Sequence, residues 1–220
     1  MNHQIEVVLF DLDGTLIDSA PDLAGAANDM RLERKLSALP LEVLRPMVGS
    51  GARGMLAKAF DVHPGDAQFE ALREEFLSRY EQRMTQLTRL FEDASRVLLA
   101  LDERGLRWGI VTNKMERLTL PLLQALKLQE RACAIVCGDT TAHSKPHPAP
   151  LLEAAHRAST APANCIYIGD DERDIIAGRA AGMQTLAAAW GYLGVGADVN
   201  AWGAHGVIHQ PNELLEWLDR

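Results

Sequence analysis

The stretch Ile5-Glu6-Val7-Val8-Leu9-Phe10-Asp11-Leu12-Asp13-Gly14-Thr15 decides how the rest of the chain is interpreted. Its apolar run does not alternate strictly between polar and apolar positions, which predicts a strand buried on both faces. Strands of that kind are typical of a parallel sheet covered by helices on both sides. The run ends at two aspartates and a glycine, so the predicted strand carries carboxylates directly at its carboxyl end.

Further apolar runs alternate with segments of helical periodicity. The other predicted strands are Leu106–Val111, Ala134–Val136, Cys165–Ile168, Gln184–Ala188 and Gly206–Ile208. Apolar stripes predict helices between and after them, within Ala94–Leu101, Leu118–Leu126, Leu151–Ala155, Ile175–Ala180 and Leu214–Leu218. In the fourth of these helices the stripe consists of Ile175, Ile176 and Ala180. This order predicts an α/β fold with a Rossmann-like parallel sheet and right-handed crossovers.

One long segment breaks the alternation of strands and helices. Residues 19–87 show helical patterns, such as the stripe from Phe69 to Tyr80, and no convincing strand. We therefore expect an α/β core domain made of residues 1–17 and 88–220. Residues 18–87, which we call the helical insert, are expected to form an all-helical cap domain inserted after the first strand.

Composition and charge exclude several classes of partner. The 220 residues contain 22 Lys and Arg against 30 Asp and Glu, a formal net charge of −8, which disfavours nucleic acid and anionic membranes. No uncharged run approaches transmembrane length, and the first residues show no basic segment before an apolar stretch. Three cysteines argue against a disulfide scaffold. We expect a cytoplasmic protein that is a monomer or a homodimer.

Polar and charged residues follow the predicted strands at the edge where α/β sheets bind ligands. Asp11 and Asp13 follow the first strand, Thr112 follows Val111, and Asp170 follows Ile168. Lys145 comes some residues after the third predicted strand. Paired carboxylates, a hydroxyl, a lysine and a further acid at one edge suit metal-assisted phosphoryl transfer.

Each of these residues has a chemical role in that reaction. Asp11 can attack phosphorus and form an aspartyl-phosphate, and Asp13 can protonate the leaving alcohol and then activate water. Thr112 can hydrogen-bond the phosphoryl oxygens, while Lys145 supplies the positive charge that lets a carboxylate approach a phosphate. We predict Thr112 and Lys145 to be catalytic, together with the two aspartates.

The same edge is predicted to bind Mg²⁺, which favours a few carboxylates together with waters and phosphate oxygens. Asp11, the main-chain carbonyl of Asp13, and Asp170 would supply that set. Asp174 is one helical turn from Asp170, so it is expected to orient the site rather than to bind the metal. Asp171 has two open interpretations, as a tuner of the metal site or as an acid favoured by the dipole of a helix N-terminus.

The motifs resemble those of a known family. Asp11–Leu16, Thr112–Lys114, Lys145-Pro146 and Gly169–Asp174 look like the four motifs of the haloacid dehalogenase-like phosphatases. Each motif alone is weak, whereas the four in order are specific. The resemblance implies that the helical insert corresponds to the family's C1 cap. At Asp171 the chain departs from many relatives, which carry Ser, Thr or Asn there.

Two branches of the family resemble the chain. It is similar to the phosphoglycolate phosphatases, and the stretches Val48–Arg53, Trp108–Lys114 and Asp174–Arg179 also resemble N-acetylmuramic acid 6-phosphate phosphatases. The resemblance implies a phosphatase for a small phosphorylated metabolite that also carries a carboxylate. Phosphoglycolate is the leading substrate and N-acetylmuramic acid 6-phosphate the alternative, while a phosphomutase or a catalytically silent binding protein is disfavoured.

The glycine-rich stretch Gly49–Gly54 matches the spacing of a dinucleotide-binding motif, but no strand precedes it and helical segments follow. We interpret it as a loop of the helical insert that reaches the active site. Gly51, Arg53 and Asn113 are predicted to contact substrate, with the guanidinium of Arg53 gripping a carboxylate. The alternative is that Arg53 pairs with an acid such as Glu42.

Overall fold

A computed structural model describes residues 5–194, 196 and 198–220, so the first four residues of the predicted core domain lie outside the described range. The strands of the described residues are β1 Val7–Phe10, β2 Ile17–Asp18, β3 Arg89–Leu90, β4 Arg107–Val111, β5 Ile135–Val136, β6 Cys165–Gly169, β7 Gln184–Ala188 and β8 Gly206–Ile208. Six of them form one parallel sheet in the order β5-β4-β1-β6-β7-β8.

Helices cover the sheet and fill the segment after its first strand. The α-helices of the described residues are α1 Ala20–Glu33, α2 Leu41–Leu44, α3 Gly51–Phe60, α4 Phe69–Arg83, α5 Ala94–Glu103, α6 Glu116–Ala125, α7 Ala149–Arg157, α8 Glu172–Ala180 and α9 Glu213–Leu218. Short 3₁₀ helices span Arg45–Ser50, Pro162–Asn164 and Val199–Ala201. Among the described residues, none of the helices has the length and apolar character needed to cross a membrane.

The predicted α/β fold with a parallel sheet is confirmed, and β1 occupies the middle of the sheet. It pairs in parallel with β4 on one side and β6 on the other, with Leu9 opposite Gly109 and Tyr167. All four residues of β1 are buried, as expected for an apolar strand covered on both faces. The carboxyl ends of β1, β4 and β6 therefore meet at one edge, which carries the predicted site.

The helical insert builds a second apolar cluster outside the sheet. Helices α1, α3 and α4 contribute most of its buried side chains, including Phe76 and Tyr80 of the predicted stripe. Leu118 of α6 and Tyr192 join the same cluster, so apolar packing connects the insert to the sheet-bearing part of the chain. Burial of this kind is the main force that holds helices together.

Strands β2 and β3 pair antiparallel where the chain leaves and re-enters the sheet-bearing part, with Ile17 opposite Leu90. The sequence analysis did not predict this ribbon, because two residues per strand are too few to show a period.

Two further expectations about local structure are wrong. In α8 the buried face consists of Asp174, Ile175, Ala177 and Gly178, whereas Ile176 is 47% exposed. Small and polar residues join Ile175 on the inner face because α8 approaches the sheet closely. A Cβ at Gly178 would collide with Thr185. The predicted loop at Gly49–Gly54 is instead the junction of a 3₁₀ helix with α3, where Gly51 has a φ of 60°.

Candidate active site

Lys145 lies at the centre of the charged edge of the sheet. Its Nζ is 2.8 Å from Oδ1 of Asp11 and 2.7 Å from Oδ1 of Asp174. The hydroxyl of Tyr167 and the main-chain oxygen of Val111 lie 2.7 and 3.0 Å from the same nitrogen. The lysine side chain is only 2% exposed, so its charge acts on the two carboxylates with little screening by water.

Asp170 is held at the end of β6 by contacts from distant parts of the chain. Its carboxylate accepts hydrogen bonds from the hydroxyl of Thr15 and the main-chain N–H of Tyr192, both at 2.8 Å. A Cβ at Gly14 or Gly191 would collide with this side chain, so the two glycines leave room for it. At Gly14 the backbone φ of +94° independently favours glycine.

The carboxylates at this edge have perturbed acidities. Burial raises the pKa of Asp11 to about 7, although neighbouring Lys145 acts to lower it, and the negative charge of Asp174 raises it further. Burial first, and then the charges of Asp11 and Asp174, raise the pKa of Asp170 well above its ordinary value. Clustered carboxylates with raised pKa values are typical of functional sites.

Three carboxylates at this edge could hold a metal ion. Oxygen atoms of Asp11, Asp170 and Asp174 all lie within 4.8 Å of one another. Asp174, however, already directs one oxygen to Lys145 and Tyr167 and the other to the main-chain N–H of Asp171. Both oxygens of Asp174 are thus engaged within the protein, and its positioning role stays a prediction.

Asp13 lies apart from that cluster and has its own cation. Nζ of Lys114 is 3.0 and 3.1 Å from the two carboxylate oxygens of Asp13, and the hydroxyl of Ser19 donates to Oδ1 at 2.5 Å. The same Nζ lies 2.8 Å from the hydroxyl of Tyr80 in the helical insert. The carboxylate predicted to transfer protons is therefore held by Lys114 and Ser19, and Tyr80 in turn contacts that lysine.

Thr112 and Asn113 follow β4 at the same edge of the sheet, where they border the space between the sheet and the helical insert. Thr112 is buried, and its hydroxyl accepts from the main-chain N–H of Lys114 at 3.1 Å. The amide of Asn113 both donates to the main-chain oxygen and accepts from the main-chain N–H of Lys145, each at 3.0 Å. Asn113 thus positions Lys145, a contact that the sequence analysis did not predict.

Asp171 is the N-cap of α8 and forms a capping box with Asp174. It also pairs with Arg173 through two bonds of 2.7 Å, from Nε to Oδ1 and from Nη2 to Oδ2. Burial alone would raise the pKa of Asp171, but the stronger combined effect of Arg173 lowers it. Nη2 of Arg173 then donates to the main-chain oxygen of Gly49 at 2.5 Å, so this pair contacts the helical insert.

A cleft of about 320 Å³ lies between the charged edge and the helical insert. Asp11, Asp13, Lys145 and Asp170 are at its floor, whereas Gly51, Arg53 and Arg73 border it from the insert. Within the described part of the chain, Arg53 is exposed and forms no ion pair with Glu42 or any other acid.

Sequence reasoning missed several residues that shape the site. The strand-end motifs predict no role for Lys114 or Arg173, and nothing in the sequence singles out Tyr167 or Tyr192. A cation in the strand-end motif Thr112–Lys114 was the one available hint. The other contacts depend on packing between distant segments.

The fold is an α/β fold with a cluster of charged side chains at the carboxyl edge of its parallel sheet, the edge at which such folds bind ligands. The model of the haloacid dehalogenase-like hydrolase family matches residues 8–188. The chain therefore belongs to the haloacid dehalogenase-like hydrolase family.

Relatives over nearly the full length carry two different names. The chain is 49% identical to the phosphoglycolate phosphatase of Xanthomonas campestris pv. campestris strain 8004, over 95% of this chain and 94% of the relative. It is 41% identical to the N-acetylmuramic acid 6-phosphate phosphatase of Pseudomonas putida strain KT2440, over 98% and 97%. Both resemblances stated from the motifs are confirmed.

Solved structures share the fold. The crystal structure of a predicted phosphoglycolate phosphatase from Haemophilus somnus 129PT superposes with a TM-score of 0.86 at 24% identity, covering 99% of both chains. CbbY from Rhodobacter sphaeroides gives a TM-score of 0.78 at 21% identity, covering 99% of this chain and 100% of that one. The whole described chain, helical insert included, thus follows a known architecture.

Proposed function

We propose that this hydrolase is a phosphatase that cleaves a small carboxylate-bearing phosphomonoester through an aspartyl-phosphate on Asp11. The observation that carries the proposal is the buried contact of 2.8 Å between Lys145 and Asp11 at the end of β1. A carboxylate can attack an anionic phosphate only where neighbouring positive charge offsets the repulsion. Lys145 meets that need, and Asp13 lies two residues further along the chain.

The donor set fits Mg²⁺, because the cluster offers only oxygen ligands and its crowded carboxylates have raised pKa values. Asp11, Asp170 and the main-chain carbonyl of Asp13 would hold the ion. Asp174 and Asp171 would act on these ligands rather than bind the ion themselves. When bound, Mg²⁺ supplies charge neutralisation and orientation of the phosphate oxygens.

The residues of the chain divide the reaction between them. Asp11 attacks phosphorus while Asp13 gives its proton to the departing alcohol oxygen, leaving a phosphoryl group on Asp11. Asp13 then takes a proton from the water that attacks this phosphoryl group, which releases phosphate and restores Asp11. Thr112 and Lys145 hydrogen-bond the phosphoryl oxygens and stabilise their charge.

Substrate selectivity is proposed to depend on the helical insert. We propose that residues 18–87 act as a cap domain over a core of residues 1–17 and 88–220. Gly51, Arg53 and Asn113 would contact the part of the substrate beyond the phosphate. The cleft between the two parts supports this division, because residues of the helical insert border it opposite the residues of the charged edge.

By sequence likeness phosphoglycolate ranks first among the candidate substrates, because the relative of 49% identity is a phosphoglycolate phosphatase. N-acetylmuramic acid 6-phosphate is the second, and one structural observation favours it. The cleft has a volume of about 320 Å³, within the range of about 300–1,000 Å³ that accommodates drug-sized ligands. The protein is proposed to act in the cytoplasm, as a monomer or homodimer.

Phosphate release by the wild type and by Asp11→Asn, measured with Mg²⁺ on a panel of phosphorylated metabolites, tests the proposal. An amide is a poor nucleophile, so the variant should lose about 10³-fold or more in kcat while remaining folded. Asp29→Asn, at a half-exposed position of α1 away from the cleft, is the matched control and should keep full activity. Near wild-type turnover by folded Asp11→Asn would overturn the mechanism, and isomerised sugar phosphate without phosphate release would indicate a mutase.

A further inference from the structure

We propose that Arg73 forms a second anion-binding position in the cleft, and that the substrate is an extended phosphomonoester with an apolar middle and a distal carboxylate. This inference rests on the proposed phosphatase function and narrows its substrate class. A sugar-sized phosphate ester with an acidic substituent has this chemistry, whereas a two-carbon phosphate ester does not.

The first observation is the direction of α4 along the cleft. Phe69, Arg73, Phe76, Leu77 and Tyr80 all border the cleft, so one face of the helix lines it from end to end. Tyr80 marks the floor, because its hydroxyl contacts the lysine that holds Asp13. Arg73 lies seven positions before Tyr80 in α4, which places their backbones about 10 Å apart along the helix axis.

The second observation is the apolar surface between the floor and Arg73. Phe76 and Leu77 lie on α4 between the two positions, and Leu23, Val48 and Leu118 border the same space. These side chains are mostly buried in the apolar cluster of the helical insert, and the edges that they turn toward the cleft make this part of its wall apolar. An acyl group or the carbon-rich face of a sugar ring would cover them and gain free energy from that burial.

The third observation is the charge distribution. The carboxylates that border the cleft all belong to the floor: Asp11, Asp13, Asp170, Asp171 and Asp174. The cations bordering it from the helical insert are Arg53 and Arg73. In the described part of the chain the ion pair of Arg73 is a loose one, 3.4 Å from Glu70, whose side chain is 79% exposed. Its guanidinium can therefore turn to a substrate carboxylate at little cost.

Phosphoglycolate does not fit this arrangement. One methylene group and one ester oxygen separate its two anionic groups, so a phosphate at Asp11 keeps the carboxylate near the floor. N-acetylmuramic acid 6-phosphate carries its phosphate and its acid substituent at different ring positions, with an acetyl group as apolar surface. N-acetylmuramic acid 6-phosphate therefore represents the proposed substrate class in the test.

The test compares Arg73→Met with Arg79→Met, a control on the same helix that does not border the cleft. The measured quantity is kcat/KM on N-acetylmuramic acid 6-phosphate, N-acetylglucosamine 6-phosphate and phosphoglycolate. The first two share ring, acetyl group and phosphate and differ in the acid substituent. Arg73→Met should lose about 10- to 100-fold on the first substrate and less than about threefold on the others, as for removal of one charge-assisted contact.

Arg73→Lys should recover part of the loss, because it restores the charge without the planar fork. Equal losses on all three substrates, or no loss on the acid-bearing sugar, would overturn the role of Arg73. A wild type that prefers phosphoglycolate would overturn the substrate class while leaving the phosphatase proposal intact. No phosphate release from any of the three by the wild type would overturn both.

Discussion

At the scale of single residues, the site depends on one buried lysine shared by two carboxylates. Lys145 lies between Asp11 and Asp174, and the charges of both raise its own pKa against the opposing effect of burial. The lysine therefore stays charged. Three clustered carboxylates against one cation leave excess negative charge in a poorly hydrated place, which explains why Asp11 and Asp170 bind protons so strongly.

This imbalance predicts how stability depends on pH in the chelated protein. Asp11 has a pKa of about 7 in the folded protein against an ordinary 3.8, so folding favours its protonated form. The associated stability is full below the unfolded value and is lost as pH rises through the folded one. With a chelator present, the difference in Tm between wild type and Asp11→Asn should shift against the wild type between about pH 5 and pH 8.

Saturating Mg²⁺ should reverse that trend, since metal ligands must be ionised before they bind. The rise in Tm that Mg²⁺ produces should therefore be larger at pH 8 than at pH 5.5, and smaller in Asp11→Asn. Thermal melts at the two pH values with and without Mg²⁺ measure this. A wild-type-to-variant difference that stays constant across pH would contradict the assignment of the titration to Asp11.

At the scale of elements, Asp22 of α1 joins the start of the helical insert to its end. Oδ2 of this fully buried residue accepts from the main-chain N–H groups of Leu87 and Thr88 and from the Thr88 hydroxyl, at 2.8–2.9 Å. Nε of Arg83 lies 3.7 Å from its other oxygen. A Cβ at Gly25 would collide with this arginine, so the glycine makes room for it.

Asp22→Ala should therefore destabilise the fold by about 3–5 kcal/mol, because three donors lose their acceptor and the partly buried guanidinium of Arg83 loses a nearby negative charge. Asp29→Ala removes the exposed partner of the same arginine and should cost less than about 1 kcal/mol. Urea unfolding of both variants measures the two values. Equal losses would mean that the buried carboxylate contributes no more than the exposed one.

At the scale of the whole molecule, the helical insert and the sheet-bearing part meet through polar contacts at the cleft as well as through apolar packing. Arg173, fixed by Asp171, donates to the main-chain oxygen of Gly49, and Lys114 contacts Tyr80. Both contacts start from residues beside the charged edge of the sheet and connect them directly to the helical insert.

Arg173→Met should raise KM about tenfold for the preferred substrate, with kcat changed much less, because the loss falls on the enclosure of the cleft rather than on the attack. Arg157→Met, which removes an exposed pair on α7, is the control and should leave both constants unchanged. Steady-state kinetics of the wild type and both variants measures KM and kcat. A fall in kcat at constant KM would place Arg173 in the chemical step instead.

The sequence by itself determined the class of fold and the edge that carries the chemistry. Apolar runs such as Val7–Phe10 show local burial, and the order of strands and helices restricts the connections to parallel ones. Parallel strands end at a common edge, so residues that follow β1, β4 and β6 had to meet there. Those patterns depend on neighbouring residues in the chain, so they can be recognised from the sequence without knowledge of the tertiary structure.

Only the tertiary structure decided which partners each residue has. Lys114 reaches Asp13 across 101 positions, and Arg173 reaches Gly49 across 124. The buried face of α8 also differed from its apolar stripe, because close approach to the sheet favours Gly178 over a larger side chain. Contacts between segments far apart depend on how helices and strands pack against each other. That packing minimises the free energy of the whole molecule and leaves no periodic trace in any one segment.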